Sequence, residues 1–445
     1  MTIPKSILYL AEVIFMVLYT VQSGETIESI AEKYGVSAER LLIDNGISPD
    51  SPLSVGQSIM IAYPKTVHTV QPGDSLWSIA ASYGVTVDQL WRNNQILNGT
   101  GRIYPGQEIV VQYADTKRGS LTVTAYVYTF VEEEILRRTL PYLTYLAIFS
   151  YSIRSDGSLV TPEDAGMPGD SRLIALAREY GARPMLVLTS LGGDGNFSTE
   201  TVSDVLGDEA ATAALISNIV ETMDAKGYDA INSDFEYIAP SDRDLYANFI
   251  SRLAEALHPL GKFVDISLAP KTSREQSGLL YEAMDYPELG AAADTSFLMA
   301  YEWGYTYSEP RAVAPINLVA KVVSYAASVI PRDKLLMGMP NYGYNWEIPW
   351  VEGSPARSLS NQEAVALANE YGVEILFDAQ AATPHFNYSD SLSSHEVWFE
   401  DARSVLMKLS LAADSDLCGI GIWNATRWFP QLWFILNVLY NIRRD

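Results

Sequence analysis

From Ser120 onward the chain repeats one texture: a run of apolar and β-branched residues, then a segment whose apolar positions recur with helical spacing. The runs fall at 122–130, 143–153, 185–190, 229–237, 264–269, 295–301, 335–340 and 419–423, with helical segments between them such as 173–180, 210–226 and 242–258. Near-continuous apolar runs separated by amphipathic helices belong to parallel strands covered on both faces. Eight such units across residues 120–445 predict an α/β fold, a (β/α)8 TIM barrel whose chemistry sits at the C-terminal ends of its strands. The long stretch 345–396, between the seventh and eighth runs, predicts an inserted α+β subdomain.

The front of the chain has a different rhythm. Tyr19-Thr20-Val21-Gln22-Ser23-Gly24-Glu25-Thr26 returns 49 residues later as His68-Thr69-Val70-Gln71-Pro72-Gly73-Asp74-Ser75. Ile30-Ala31, Tyr34-Gly35-Val36 and Asn45 recur in the same register as Ile79-Ala80, Tyr83-Gly84-Val85 and Asn94. Two copies of one small module therefore occupy 17–63 and 66–112. Each copy predicts strand, helix, helix, strand, with Thr26 or Ser75 capping the first helix and Gly35 or Gly84 ending it in the left-handed conformation.

This pattern resembles the LysM domain, a βααβ module that binds N-acetylglucosamine units. The resemblance implies a shallow groove made by Gly24, Glu25, Thr26, Ile27 and Ile47 in the first copy, and by Gly73, Asp74, Ser75, Leu76, Ile96 and Leu97 in the second. The competing reading is that these residues only cap and pack. Two weak sites on one chain would add avidity toward an insoluble polymer.

Composition narrows the partners. A formal charge of −24 opposes phosphate backbones, so no nucleic-acid partner is expected. The single cysteine, Cys418, and four scattered histidines leave no thiolate or histidine cluster for a metal, and no cofactor is implied. Residues 1–16 are apolar, but Lys5 and Glu12 interrupt them and no small-residue cleavage site follows. They read as an N-terminal extension, with Met16 as an alternative start to Met1, and no membrane span is expected; a poor signal peptide is the alternative.

The run at 229–237 carries the chemistry. Period two places Asn232, Asp234 and Glu236 on one face and Ile231, Ser233 and Phe235 on the other. With helices covering the outside, the polar set must face the lumen, where neighbouring carboxylates push one pKa upward. One carboxyl kept protonated beside another that accepts hydrogen bonds is what acid-catalysed glycosidic cleavage requires. A structural pair satisfied by a buried cation is the alternative.

The run resembles the D-x-x-D-x-D-x-E signature of family-18 glycoside hydrolases at Asp229, Asp234 and Glu236, with Asn232 where the middle Asp belongs. Ser190-Leu191-Gly192-Gly193, Met299-Ala300-Tyr301-Glu302, Gly338-x-Pro340-x-Tyr342-Gly343-x-x-Trp346 and Trp423 are similar to further family motifs at successive strand ends, with Glu302 in place of Asp. The resemblance implies substrate-assisted, retaining catalysis. Glu236 would be the acid, Asp234 and Tyr301 would hold the substrate's acetamido group, Glu302 would line its pocket and Trp423 would lie under the reacting sugar. Tyr126, Tyr342 and Trp346 are further candidates for substrate contact. Asn232 cannot share a proton with Asp234 as a carboxylate would, and Glu302 is one methylene longer than the family residue.

The arrangement of two LysM modules before such a barrel, with Tyr301-Glu302-Trp303-Gly304-Tyr305 and Trp398-Phe399-Glu400-Asp401-Ala402, resembles the spore cortex-lytic N-acetylglucosaminidases. It implies action on peptidoglycan in the spore during germination. A chitinase or general wall glycosidase acting on chitin-like polymers, secreted or in the cell wall, and a non-catalytic glycan-binding spore-coat protein are the competing readings.

Overall fold

The computed structural model describes residues 16–97, 99–113 and 117–444, so the extension expected before Met16 lies outside the described residues. Eight parallel strands close a barrel: β1 Gly119–Tyr128, β2 Tyr145–Ile153, β3 Arg183–Thr189, β4 Ala230–Asp234, β5 Phe263–Leu268, β6 Thr295–Leu298, β7 Leu335–Pro340 and β8 Gly419–Trp423. Closure comes from β8 pairing with β1 and β1 with β2. A two-residue strand Leu159–Val160 runs antiparallel on β2, and Tyr440–Ile442 adds to the lower half of β1.

Helix boundaries follow local chemistry. Glu209–Lys226 begins at Asp208, whose side chain accepts from the Ala210 and Ala211 amides, and ends at Gly227 in the left-handed region. In the fourth unit the ladder stops at Asp234, and Phe235 turns outward to stack on Tyr246 and Phe249 of helix Arg243–Leu257. The alternation read from the sequence is thus real: Ser233 also faces this helix, bonded to Tyr246, while Asn232 and Asp234 face the lumen.

Two glycines of the barrel make room for rings. A Cβ on Gly338 would stand 2.7 Å from Cε1 of Tyr301, and one on Gly421 would collide with Phe297, which packs 5.0 Å from Tyr126. The inserted sheet has five antiparallel strands in the order Arg357–Ser360, Tyr342–Ile348, Ser394–Trp398, Thr383–Ser389 and Leu376–Asp378, with helix Asn361–Tyr371 on one face. It leaves the barrel directly after β7. Its return is tied down by Glu400 and Lys408, a fully buried ion pair at 2.8 Å, and by Asp401, which caps helix Ala402–Asp414.

The two modules are built alike. In the first, Met16–Thr20 pairs with Ser58–Ala62; in the second, Thr66–Thr69 pairs with Glu108–Gln112. Thr26 and Ser75 form capping boxes with Ser29 and Ser78, and Gly35 and Gly84 end the helices in the left-handed region as expected. The repeated asparagine clamps the second helix to the closing strand. Asn45 bonds the Leu41 and Met60 carbonyls and the Met60 amide, and Asn94 does the same with Leu90 and Val110.

Both modules pack against the barrel through helix Pro430–Leu439, every residue of which is buried. Gln431 donates to Asn45 and to the Ser58 carbonyl, while Asn437 donates to Asn93 and the Arg92 carbonyl. Its leucine, isoleucine, phenylalanine and tryptophan side chains each contribute roughly 1.5–3 kcal/mol by leaving water. Module one also touches the insertion, where Ser54 bonds Asn369 and the Ile375 amide donates to the Val55 carbonyl.

Candidate active site

The lumen-facing side chains of β4 meet those of its neighbours at the top of the barrel. Asp234 is buried, and its Oδ1 has no hydrogen-bond partner among the described residues. Burial pushes its carboxyl above the usual range, opposed by a hydrogen bond from Ser267 on β5. Glu236 stands past the strand end, half-buried, and is raised well above an ordinary glutamate by burial first, then by the charges of Asp234 and Glu302. Two neighbouring carboxyls at the top of β4 are thus both held above their ordinary ranges by burial, and Glu236 is raised further by the Asp234 charge.

Tyr301 lies buried just past the end of β6, with its hydroxyl in the field of Asp234, Glu302 and Glu236. Glu302 follows it in the left-handed region at φ 63, and Tyr237 follows Glu236 at φ 55. Both are conformations that non-glycine residues adopt only at a cost of order 1–2 kcal/mol. Glu302 accepts from Tyr342 at 2.9 Å and from Tyr344 at 3.4 Å, and desolvation raises its carboxyl as well. Trp423 closes β8, half-buried, with ring centroids 5.1 Å from Phe149, 5.8 Å from Tyr126 and 6.0 Å from Tyr128. The Trp423-Asn424 and Phe149-Ser150 peptides in this cluster are cis.

Not every candidate reaches the cleft. Trp346 is buried in the inserted sheet, and its indole N–H is spent on the Ser308 carbonyl, because its strand turns that face toward the β6 loop. Tyr126 is buried beneath Trp423, in the field of Asp265 and Asp234, so it underlies the site and does not wall it. Asp229, the first residue of the signature, sits at the opposite end of the strand and pairs with Arg178 at 3.0 Å.

Asn232 is fully buried and donates to Asp265 on β5 at 2.7 Å, while Ser267 donates to its carbonyl oxygen at 3.1 Å. Asp265 and Ser267 alternate along β5 as Asn232 and Asp234 do along β4. That Asp-x-Ser pattern inside an apolar run is the signal sequence reading passed over. The loops after β5 and β6 add a hollow of about 460 Å³ between Pro270, Gln276, Tyr281 and Trp303, also unforeseen.

In the modules, Gly24, Thr26, Gly73 and Ser75 are exposed at their turns. Glu25 is occupied by Tyr19 and the Gln22 amide, and Asp74 by His68 and the Gln71 amide. The side chains of Ile27 and Leu76, each the first residue of its helix, turn inward to the module cores, and Leu97, at the end of the short turn Gln95–Leu97, packs into the second core. Ile47 faces a cavity of about 320 Å³ shared with Asn361, Gln362 and Val365, and Ile96 faces one of about 700 Å³ shared with Arg40 and Asp44. Among the described residues no group of His, Cys, Asp and Glu could hold a metal ion, and no helix is long and apolar enough to cross a membrane.

A closed (β/α)8 barrel with two buried, pKa-raised carboxyls at the top of its fourth strand, and Trp423 at the end of the eighth, is the architecture of a glycoside hydrolase. Comparison with known proteins gives the family: residues 111–427 match the glycosyl hydrolases of family 18, and residues 19–62 and 68–112 each match the LysM domain. The chain belongs to family 18. It is 37% identical over 435 residues to the cortical fragment-lytic enzyme of Bacillus anthracis, covering 96% of this chain and 99% of that one. The crystal structure of the Bacillus cereus spore cortex-lytic enzyme SleL superposes with a TM-score of 0.81 at 36% identity, over 97% of this chain and 99% of that one. That of the Bacillus megaterium QM B1551 enzyme SleL gives 0.81 at 33%, over the same shares.

Proposed function

We propose that this chain hydrolyses β-1,4 N-acetylglucosaminyl bonds in spore cortex peptidoglycan, in fragments released by other lytic enzymes, during germination. The observation that carries this reading is the buried, unpartnered Oδ1 of Asp234 beside Glu236, whose carboxyl burial and the neighbouring charges hold well above the ordinary glutamate range. A buried carboxylate oxygen without a donor costs free energy, and the N–H of a substrate acetamido group is the donor that removes the cost. Similarity to cortex-lytic enzymes along the whole chain, modules included, supports the choice of polymer.

In the first half of the reaction Glu236 gives its proton to the glycosidic oxygen, and the bond from that oxygen to the anomeric carbon breaks. The acetamido carbonyl oxygen forms the new bond to the same carbon, giving an oxazolinium ion. Asp234 accepts from the acetamido N–H and balances the positive charge, while the Tyr301 hydroxyl donates to the acetamido oxygen. Glu302 borders this pocket, held by Tyr342, and Trp423 meets the apolar face of the sugar. Water then attacks the anomeric carbon as its bond to the acetamido oxygen breaks and the acetamido group is restored, the Glu236 carboxylate takes the water's proton, and the configuration is retained. The LysM modules hold the glycan from their exposed turns, and the protein acts at the spore.

The test is mass spectrometry of products from muramidase-treated cortex fragments and, separately, chitin oligosaccharides, with the Glu236→Gln variant alongside. Glu236-dependent cleavage of the cortex material at N-acetylglucosamine is the expected result. Cleavage of chitin oligosaccharides alone would make the enzyme a chitinase, and inactivity of both proteins on both substrates would leave a glycan-binding protein.

A further inference from the structure

Module one and the inserted sheet enclose a cavity of about 320 Å³ that the cleavage chemistry does not use. Strand Ser58–Ala62 and the loop carrying Ile47 contribute one side, the start of helix Asn361–Tyr371 the other, and Phe399 and Phe429 also line it. Gly24, Glu25, Thr26 and Ile27, the turn where a LysM groove is expected, are not among its lining residues. The two sides are fixed against each other. Ser54 donates to Asn369 at 2.6 Å, Asn369 to the Pro52 carbonyl at 2.8 Å, and Arg403 to the Gly56 carbonyl at 3.1 Å. A Cβ on Gly46 would stand 2.7 Å from Gln362 Nε2, and one on Gly56 would collide with the Ile375 carbonyl. Most polar groups of the cavity are spent. Asn45 and Gln431 use both ends of their amides on the backbone and on each other, and Gln57 accepts from the Ser54 amide. Two groups are not. Ser58 is 3% exposed and Asn361 4%, yet Ser58 Oγ and Asn361 Nδ2 have no hydrogen-bond partner among the described residues. Asn361 Oδ1 accepts from the Glu400 amide at 2.9 Å, so the amide is oriented and its free end is a fixed donor.

We propose that this cavity is a binding site for a neutral N-acetylated sugar, built jointly by module one and the insertion, in which Asn361 and Ser58 read the acetamido group. Asn361 Nδ2 donates to the acetamido carbonyl, the acetamido N–H donates to Ser58 Oγ, and the methyl group meets Ile47, Val365 and Phe399. A secondary amide with a methyl group carries an acceptor, a donor and apolar carbon in one small unit, which is the complement of what the cavity leaves unmatched. Charge excludes the other classes. Glu400 is held by Lys408, Asp401 by Arg403, and Glu363 accepts from the Ser360 amide, so a cation finds no free carboxylate. Among the described residues lining the cavity there is no lysine, arginine or histidine, so an anion, an acidic peptide included, finds no counter-charge. The volume lies at the small end of the range for ligand sites and suits a single sugar unit. Ser48 and Ser51, exposed among the lining residues, offer hydroxyls to those of the sugar.

Phe399 and Phe429 line this cavity and take no part in the catalytic site, so fluorine on their rings reports on it separately from the cleft and the module turns. The full chain carrying Glu236→Gln, which keeps the probe intact, is labelled with fluorophenylalanine and the two signals are assigned by Phe399→Leu and Phe429→Leu. Methyl N-acetyl-β-glucosaminide is titrated in by ¹⁹F NMR, beside methyl β-glucoside, which lacks the acetamido group, and an acidic glutamyl peptide. The expected result is a saturable shift of both signals with the acetamido sugar alone. Ser58→Ala removes only the unpartnered hydroxyl, and Asn361→Asp keeps the bond from the Glu400 amide while losing the donor. Each weakens binding about three- to ten-fold, and Ser58→Ala does so with an unlowered melting temperature. Ala366→Trp, at an exposed lining position of the helix, abolishes the shift. Signals unmoved by the acetamido sugar overturn the proposal, as do an equal response to the plain glucoside, a response to the acidic peptide alone, or unchanged affinity in Ser58→Ala and Asn361→Asp. If Asn361→Asp does not fold, Ser58→Ala decides. No cleavage is measured, so failure of the glycosidase reading leaves this test intact.

Discussion

Gly338→Ala is the substitution that separates packing from chemistry most cleanly. Gly338 lies in β7 opposite Gly421, and the Cβ built on it points at the Tyr301 ring, 2.7 Å from Cε1 and 3.0 Å from Cδ1, and collides with the Leu298 carbonyl. Ordinary contact begins at 3.4 Å, so the ring must retreat by about 0.7 Å, and the β6 backbone cannot follow freely because it is paired on both sides. Overpacking of this kind costs about 1–3 kcal/mol, which a barrel of this size survives. A shift approaching 1 Å in a group that must meet the acetamido oxygen costs about 10²-fold in rate. The expected outcome is a folded protein with a lowered melting temperature, kcat reduced about 100-fold and KM little changed on the substrate the wild type cleaves. In a Tyr301→Phe background the same glycine change should cost far less, because the two act on one group. A Gly338→Ala enzyme that loses stability yet keeps kcat within about three-fold of wild type would refute the reasoning.

Further outcomes follow from the electrostatics. Glu236 is raised by burial, Asp234 and Glu302, so the acid stays protonated above the ordinary glutamate range and activity is lost as pH rises through its titration. Glu302→Gln removes one like charge, so the alkaline limb of the pH dependence of kcat/KM should move to lower pH; an unmoved limb would show that Glu302 does not act on the acid. Lys408→Met strands Glu400 as an unpaired buried carboxylate and should cost about 3–5 kcal/mol in thermal or denaturant unfolding. The Lys408→Met/Glu400→Leu pair should recover most of that loss, and failure to recover would mean the lysine is held for packing.

The barrel was legible because strands covered on both faces write themselves as apolar runs, and the acidic strand because Asn232 and Asp234 interrupt one at period two. β5 carries the same kind of interruption in Asp265 and Ser267, yet its meaning depends on which strand stands beside it and in what register, which no local pattern contains. Trp346 and Tyr126 show a second limit: an aromatic side chain fits a cleft and a core equally well, and only its closed surroundings assign it. The buried Ile27, Leu76 and Leu97 belong to the same class. Contacts such as Ser54 with Asn369, 315 residues apart in sequence, have no local signature at all.

Helix Pro430–Leu439, enclosed by the barrel and both modules, makes a single rigid frame out of parts that resemble beads on a string in sequence. A tethered binding module lets its catalytic partner search a sphere set by linker length. Here no such search volume exists. A glycan strand gripped at the modules' turns would meet the cleft at one fixed distance and angle, so the sugar unit cut would be counted off by the shape of the protein, as on a ruler, and only strands able to span that interval would be cut while held.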